Sequence, residues 1–205
     1  MGKFLLHIFF FILYANLSYS QKDFENTRAY YIYKGLHLTD EDKIIFKESM
    51  DLEKDVFTWQ NQRSTIRAKI KEVSATLQNP NISENEKRLK TEKLKELNDE
   101  LNNKSYDINE YYEIINETRK KMYLKSLNSK KLKELSSNDY KFVKKLMDDA
   151  ESFFGKAENI RKRAYKEADF QMSCLTLNNA TDFEVMGIKI LEKAVMFAYK
   201  IEPEQ

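Results

Sequence analysis

Residues 45–77 read IFKESMDLEKDVFTWQNQRSTIRAKIKEVSATL, and residues 94–122 read LKELNDELNNKSYDINEYYEIINETRKKM. In the first stretch, steps of four and three residues pick out Ile45, Ser49, Leu52, Val56, Trp59, Arg63, Ile66, Ile70, Val73 and Leu77, of which eight are apolar. A period of 3.5 holds that stripe on one face of a helix for about nine turns. The same rhythm in the second stretch selects Leu94, Leu97, Leu101, Lys104, Ile108, Tyr111, Ile115, Thr118 and Met122. Between them stands Gln78-Asn79-Pro80. Proline lacks an N–H donor and pushes the preceding residue out of the helical region, so the first helix stops there. Ser83 with Glu86 forms a capping box that starts the second helix. The spacing therefore predicts an all-α fold built on a long, coiled-coil-like antiparallel helical hairpin over 39–125, bent at 78–83.

Working toward the N-terminus, Thr39 precedes Asp40-Glu41-Asp42. A hydroxyl at the cap and three carboxylates in the first turn suit the positive end of a helix, which places its start at Asp40. Residues 21–38 read as a short aromatic helix carrying Phe24, Tyr30, Tyr31 and Tyr33, closed by Gly35 as a left-handed cap. The first 20 residues hold a single charge, Lys3, then an apolar run from Phe4 to Ala15 and small residues before Gln21. That is the pattern of a cleaved signal peptide, with a run of about 12 apolar residues against the roughly 20 needed for a span. With Gln21 where a lipoprotein needs cysteine, no lipid anchor is expected at this end.

Toward the C-terminus, 126–138 is a basic, Ser- and Asn-rich linker with a helical turn at Leu132 to Leu135, and 139–205 reads as a pair of helices, the first capped by Asn138 or Ser137, that completes a small body. The first has Val143, Leu146, Ala150, Phe153, Ala157, Ile160, Ala164 and Ala168 on one face. The second is expected to begin after a break at Asn178-Asn179, with Thr181 and Glu184 as its capping box, and to bury Phe183, Met186, Ile190, Ala194, Phe197 and Ile201. Ile188, Leu191, Val195 and Ala198 make it apolar on a second face as well, which puts it at the centre of the body.

Composition narrows the function classes. The chain has only four Gly and two Pro, as expected for long helices. Without Lys3, 34 basic and 33 acidic residues remain, a balance that points to no nucleic-acid partner. His37 is the only histidine beyond the first 20 residues and Cys174 the only cysteine, so zinc chemistry and a Ser-His or Cys-His mechanism lack their residue types. Cys174 reads as a small buried residue, with an intermolecular disulfide as the alternative. Glu48, Asp51, Asp107, Glu110, Glu113 and Glu117 fall away from the seam, where solvation and lysine pairing are expected rather than the apolar pocket of a catalytic acid. Four isolated glycines make no phosphate loop. These features predict no enzyme, no cofactor and no metal.

Surfaces carry the remaining signals. Between Arg119 and Lys145 there are ten basic residues and two acidic ones, suited to an acidic partner or an anionic membrane surface. Arg119, Lys120, Lys121, Lys130 and Lys131 are candidate contacts, together with the aromatic set Phe24, Tyr30, Tyr31 and Tyr33 and the seam residue Trp59. A hairpin folded symmetrically about Asn81 also brings the acidic stretch Asp40–Asp55 against Arg119, Lys120 and Lys121. Arms of nearly forty residues reach about 55 to 60 Å, and a two-helix seam interrupted by Arg63 and Lys104 needs a third surface to shelter it. The expectation is an exported, non-catalytic structural or adaptor subunit that binds partner protein, or its own copies, in a cell-envelope assembly. A periplasmic holding chaperone and a cell-wall hydrolase are the alternatives: suppression of client aggregation marks the first, and lytic activity lost on Glu-to-Gln changes over 107–117 marks the second.

Overall fold

A computed structural model describes residues 28–202. The signal-peptide reading and Phe24 lie outside the described residues. The described chain is helical: α1 (Arg28–Gly35), α2 (Asp40–Leu77), α3 (Glu84–Ser126), α4 (Ser129–Lys133), α5 (Ser137–Ala164) and α6 (Phe170–Tyr199).

The hairpin begins as the caps require. Thr39 Oγ1 accepts from the Asp42 amide at 3.2 Å, and Ser83 Oγ accepts from the Glu86 amide at 3.3 Å. Contacts between the arms run in opposite order along the two chains: Asp42 with Lys125, Glu53 with Arg119, Gln60 with Tyr112, and Trp59 with Tyr111. The arms are therefore antiparallel, but their register is not symmetric. A fold about Asn81 would set Trp59 opposite Asn103, whereas its ring meets Tyr111 with centroids 4.6 Å apart. The slip leaves the first turns of α3 with little to cover them, and Leu89 is 51% exposed.

On α3 every seam position is buried or half-buried. The α2 stripe holds from Ser49 onward but shifts at its start, where Ile45 is 39% exposed and Phe46 is 0% exposed. The reason is tertiary. Tyr33 of α1 stacks on Phe46 at 5.8 Å and Tyr123 of α3 also lies 5.8 Å from it, so the base of α2 turns toward two helices instead of one.

The main core sits at that base. Ala29 and Ile32 of α1, Met122 and Tyr123 of α3, Val143, Ala150 and Phe154 of α5, and Ile188, Leu191, Ala194 and Val195 of α6 pack with Phe46 and Met50. A satellite of Val56, Ile108 and Ile115, flanked by Trp59 and Tyr111, continues up the hairpin. Helix α6 packs against α1, α3 and α5. Its buried face is Ile188, Leu191, Ala194, Val195 and Ala198, while Met186 and Phe197, expected inside, are 49% and 44% exposed.

Four further expectations are corrected. Helix α6 runs without a break through Asn178-Asn179, because both Asn178 and Thr181 have hydrogen-bond partners across on α3 and so do not compete with their own backbone. Helix α5 ends at Ala164, not Ala168, and is capped at its start by Ser136. Within 126–138 the five-residue helix α4 is capped by Asn128. Gly35 is not a left-handed cap, since no described glycine has positive φ. It allows close approach instead: a Cβ there would lie 2.7 Å from Ile201 Cδ1. The left-handed position is Lys200, φ 54°, where the Ile201 amide donates to Met196 O and the Lys200 amide to Phe197 O, a Schellman closure that turns Ile201 back onto α1.

Candidate functional site

Helix α3 has a second face, set by residues seven apart: Asn102, Asn109, Asn116 and Tyr123. Each meets α6. Cys174 Sγ donates to the Asn102 carbonyl at 3.4 Å, Asn109 Nδ2 to Asn178 Oδ1 at 3.1 Å, and Thr181 Oγ1 to Asn109 Oδ1 at 2.8 Å. Asn116 Nδ2 donates to Glu184 Oε2 at 3.4 Å and Tyr123 Oη to Glu192 Oε1 at 3.2 Å. Both helices advance together down this ladder, so α6 lies parallel to α3. Asn109, Asn116, Thr181 and Glu192 are buried, and a polar group taken from water is costly unless it finds a partner. The ladder therefore fixes the register of α6 as strictly as apolar packing could.

Two buried arginines lie beside the ladder. Arg119 donates to Glu53 from Nη2 at 2.6 Å and from Nη1 at 3.1 Å, a paired fork that ties α3 to α2. Burial opposes its charge, but Glu53 outweighs that and holds the guanidinium above its ordinary pKa. Arg161 of α5 grips Glu184 of α6 through Nε at 3.0 Å and Nη2 at 2.8 Å. Its Nη1 lies 3.0 Å from Glu113 Oε2 of α3, off the line of a hydrogen bond, and has no acceptor. Here too burial lowers and Glu184 raises the arginine pKa, with a net rise. Glu192, buried against Tyr123, has its carboxyl pushed up by burial, partly offset by Arg119.

The Arg161 clamp forms part of the wall of a cleft of about 360 Å³ where α3, α5 and α6 meet. Glu113, Glu117, Glu151, Glu158 and Glu184 surround it, against Lys120 and Arg161. Lys120 lies 4.2 Å above the Phe154 ring and 3.3 Å from Glu151. Gly155 also lines the cleft, and a Cβ built on it would touch nothing within 4 Å. A second groove, of about 590 Å³, lies along α5 and α6 beside Ile160, Arg163, Asp182, Phe183 and Met186.

The residues singled out in the sequence scatter over the molecule. Tyr30 and Tyr31 are half-buried on α1, edge to face at 6.1 Å, with Lys34 Nζ 4.5 Å over Tyr30. Tyr33 belongs to the base core through Phe46. Trp59 is half-buried against Tyr111, with Lys104 Nζ 5.3 Å from its ring. Arg119, 4% exposed and held by Glu53, is internal and not part of an outer surface. Lys120 faces the cleft, Lys121 pairs with Glu117 on its own helix, Lys131 reaches Glu134 and the Tyr199 ring, and Lys130 is exposed. The charge match at the base is real but runs through Arg119–Glu53 and Lys125–Asp42 instead of through Lys120 and Lys121.

Of the acidic candidates, Glu48, Asp51, Asp107, Glu110 and Glu117 are exposed, and Asp51 pairs with Lys54. Glu113 is the exception, accepting from Tyr165 Oη at 3.0 Å and facing Arg161. Exposed His37 adjoins the base core, whereas buried Cys174 sits at the far start of α6, about 30 Å away along that helix. The two do not form a pair. Among the described residues no cluster of His, Cys, Asp and Glu is placed to hold a metal ion, and no helix is long and apolar enough to cross a membrane. Comparison with protein-family models, with curated proteins and with solved structures finds no match.

Proposed function

We propose that the protein is a non-catalytic adaptor of an exported assembly, which engages a partner protein with the far half of its α2–α3 hairpin while the base holds the two arms in place. The exported setting rests on residues 1–20 of the sequence. One observation carries the binding role. Helix α6 meets α3 at the level of Asn102 and Tyr106 and from there toward the base, and above that level, among the described residues, the two arms pack chiefly on each other. Ile70, Val73, Leu77 and Leu94 are half-buried there and Leu89 is exposed. An apolar stripe that the chain leaves part-covered, on a rod stiffened at its root, is the helical face that partner helices take up in grooves and bundles.

The test places a photo-reactive phenylalanine analogue at Leu89 or Lys71, with Lys189 on the exposed side of α6 as the control, and irradiates the native cells. The reading expects one discrete partner chain joined to the two hairpin positions and not to Lys189. Crosslinking to nothing at Leu89 and Lys71 overturns it. A broad ladder of products from the same positions would favour a holding chaperone instead, since a chaperone meets many clients.

A further inference from the structure

Helix α6 carries more apolar surface than its neighbours cover. A helix that is apolar on more than one face normally belongs inside a protein. One face of α6 meets α3 through Cys174, Asn178, Thr181, Glu184 and Glu192. On the opposite face, at about 100° per residue, lie Met186, Ile190, Lys193 and Phe197. Met186 and Phe197 are 49% and 44% exposed there. Helix α5 adds Phe142, 38% exposed, whose ring lies 4.8 Å from that of Phe197, and Phe153, 6.0 Å from Phe183. The result is a continuous apolar ridge along the α5–α6 seam, on the side turned away from α3. Single exposed apolar residues need no explanation, but a contiguous set marks a contact surface.

The charges beside the ridge have one sign. Lys145 and Lys156 of α5 and Lys189 and Lys193 of α6 are all exposed. Lys156 Nζ lies 5.3 Å from the Phe153 ring and Lys193 Nζ 5.8 Å from Phe142. None of the four pairs with a carboxylate among the described residues. The acids of the same stretches turn elsewhere: Asp148 to Lys144, Glu151 to Lys120, Glu184 to Arg161 and Glu192 to Tyr123. Asp149 alone is left beside four uncompensated lysines.

We propose that this face rests on an anionic membrane surface, with Phe142, Met186 and Phe197 entering the headgroup layer and the four lysines lying among lipid phosphates. Exposed aromatic and apolar side chains edged by lysine are the composition of an interfacial helix face. A second copy of the chain would bring these lysines against one another. An acidic protein is gripped best by arginine, whose planar fork matches a carboxylate, and neither 142–156 nor 183–197 contains an arginine. Lysine is a point charge on a flexible stem, suited to a fluid array of phosphates, and its stem adds apolar cover. In this arrangement α5 and α6 lie between the membrane and α3, which leaves the far half of the hairpin open to a partner.

The test floats the full chain with phosphatidylcholine vesicles holding about one-third phosphatidylglycerol, an anionic fraction that attracts basic surfaces. Flotation is expected, weakening as salt is raised. Lys189→Glu with Lys193→Glu should keep the melting temperature and lose at least about tenfold in partitioning. Met186→Gln, which keeps every charge, should lose at least about threefold. Lys69→Glu with Lys95→Glu makes the same charge change on the hairpin and should float like the parent. All chains compared share one N-terminal segment, so any affinity it has cancels. Parent-like flotation of the Lys189 and Lys193 double change or of Met186→Gln, or an equal loss in the hairpin control, would overturn the proposal. Binding of poly-glutamate without flotation would give the face to an acidic protein, and a dimer that Met186→Gln dissociates would give it to a second copy. Either result overturns the proposal too. Crosslinking from Leu89 and Lys71 does not involve this face, so the adaptor reading and this one fail separately.

Discussion

The base and the tip of this molecule are built from the same two helices with the same heptad rhythm, yet they are held by different means. At the base, α2 and α3 are joined by α1, α5 and α6, and Ile32, Phe46, Tyr123, Leu191 and Val195 are completely enclosed. Toward the tip, beyond Ile66 and Leu97, the seam continues through Ile70, Val73 and Leu94 but none of these is more than half-buried. Periodicity is therefore a statement about which way side chains point, and says nothing of what covers them. Stability follows coverage, because dispersion and burial both scale with the atoms removed from water.

The sharpest way to break that contrast is to remove equal kinds of side chain from both ends. Leu191→Ala should cost about 2 to 5 kcal/mol and lower the melting temperature by about 5 to 15 °C, while Leu94→Ala, on the half-buried tip seam, should cost no more than about half as much. Equal losses in denaturant titration would mean the tip is held as firmly as the base. Next in size is the Arg119–Glu53 fork. Arg119→Ala leaves Glu53 facing the interior without its partner, and since Glu53 keeps some contact with water the expected cost is about 2 to 4 kcal/mol. The double change Arg119→Met with Glu53→Leu should recover much of that loss. If it recovers none, the pair does more than neutralise itself, and it specifies the α2–α3 register.

Which parts could be read from the sequence follows the same division. The α3 seam was readable at every position because one helix, α2, faces it with a matching stripe. The α2 stripe shifts from Ile45 to Phe46 where α1 arrives beside α3, since no local pattern announces it. The second face of α3 has no apolar stripe to announce it: only the seven-residue spacing of Asn109, Asn116 and Tyr123 marks the side chains that meet α6. For the same reason Asn178-Asn179 reads as a break and Thr181 as a cap, when the side chains of Asn178 and Thr181 are satisfied by Asn109 across the interface. The cleft was beyond reach, because Glu113, Glu158, Glu184 and Arg161 come from three helices and Gly155 stands alone in the chain. Gly155 and Gly187 nevertheless make a direct test of the local packing, with opposite signs. Gly187→Ala should cost about 1 to 3 kcal/mol through the clash with Phe154, and Gly155→Ala should gain about 1 kcal/mol from helix propensity alone.

The smallest expected effect belongs to Glu192, and it sharpens the comparison by asking whether the base tolerates a charge that the tip would leave in water. Burial raises the carboxyl of Glu192 above the 4.5 of an unhindered glutamate; Arg119 and the Tyr123 hydroxyl pull it back, Glu53 pushes with the burial, and Arg28 pulls against it. A folded pKa above the unfolded one means that the folded chain binds more protons, so this group's contribution to stability falls as pH rises from about 4.5 through the folded value and is level above it. Glu192→Gln can still accept from Tyr123 and has no proton to lose. Its stability relative to the parent should be constant below that window, rise across it and stay raised at neutral pH, by less than the glycine exchanges. Asp42 contributes in the opposite direction, because its hydrogen bond to Lys125 lowers its pKa and that stability is lost as pH falls through the lowered value. Both chains keep Asp42, so the difference between their unfolding curves isolates Glu192. A difference that is flat across the acid range would show that Glu192 titrates as if it were in solvent, and that the Tyr123 ladder rung is open to water.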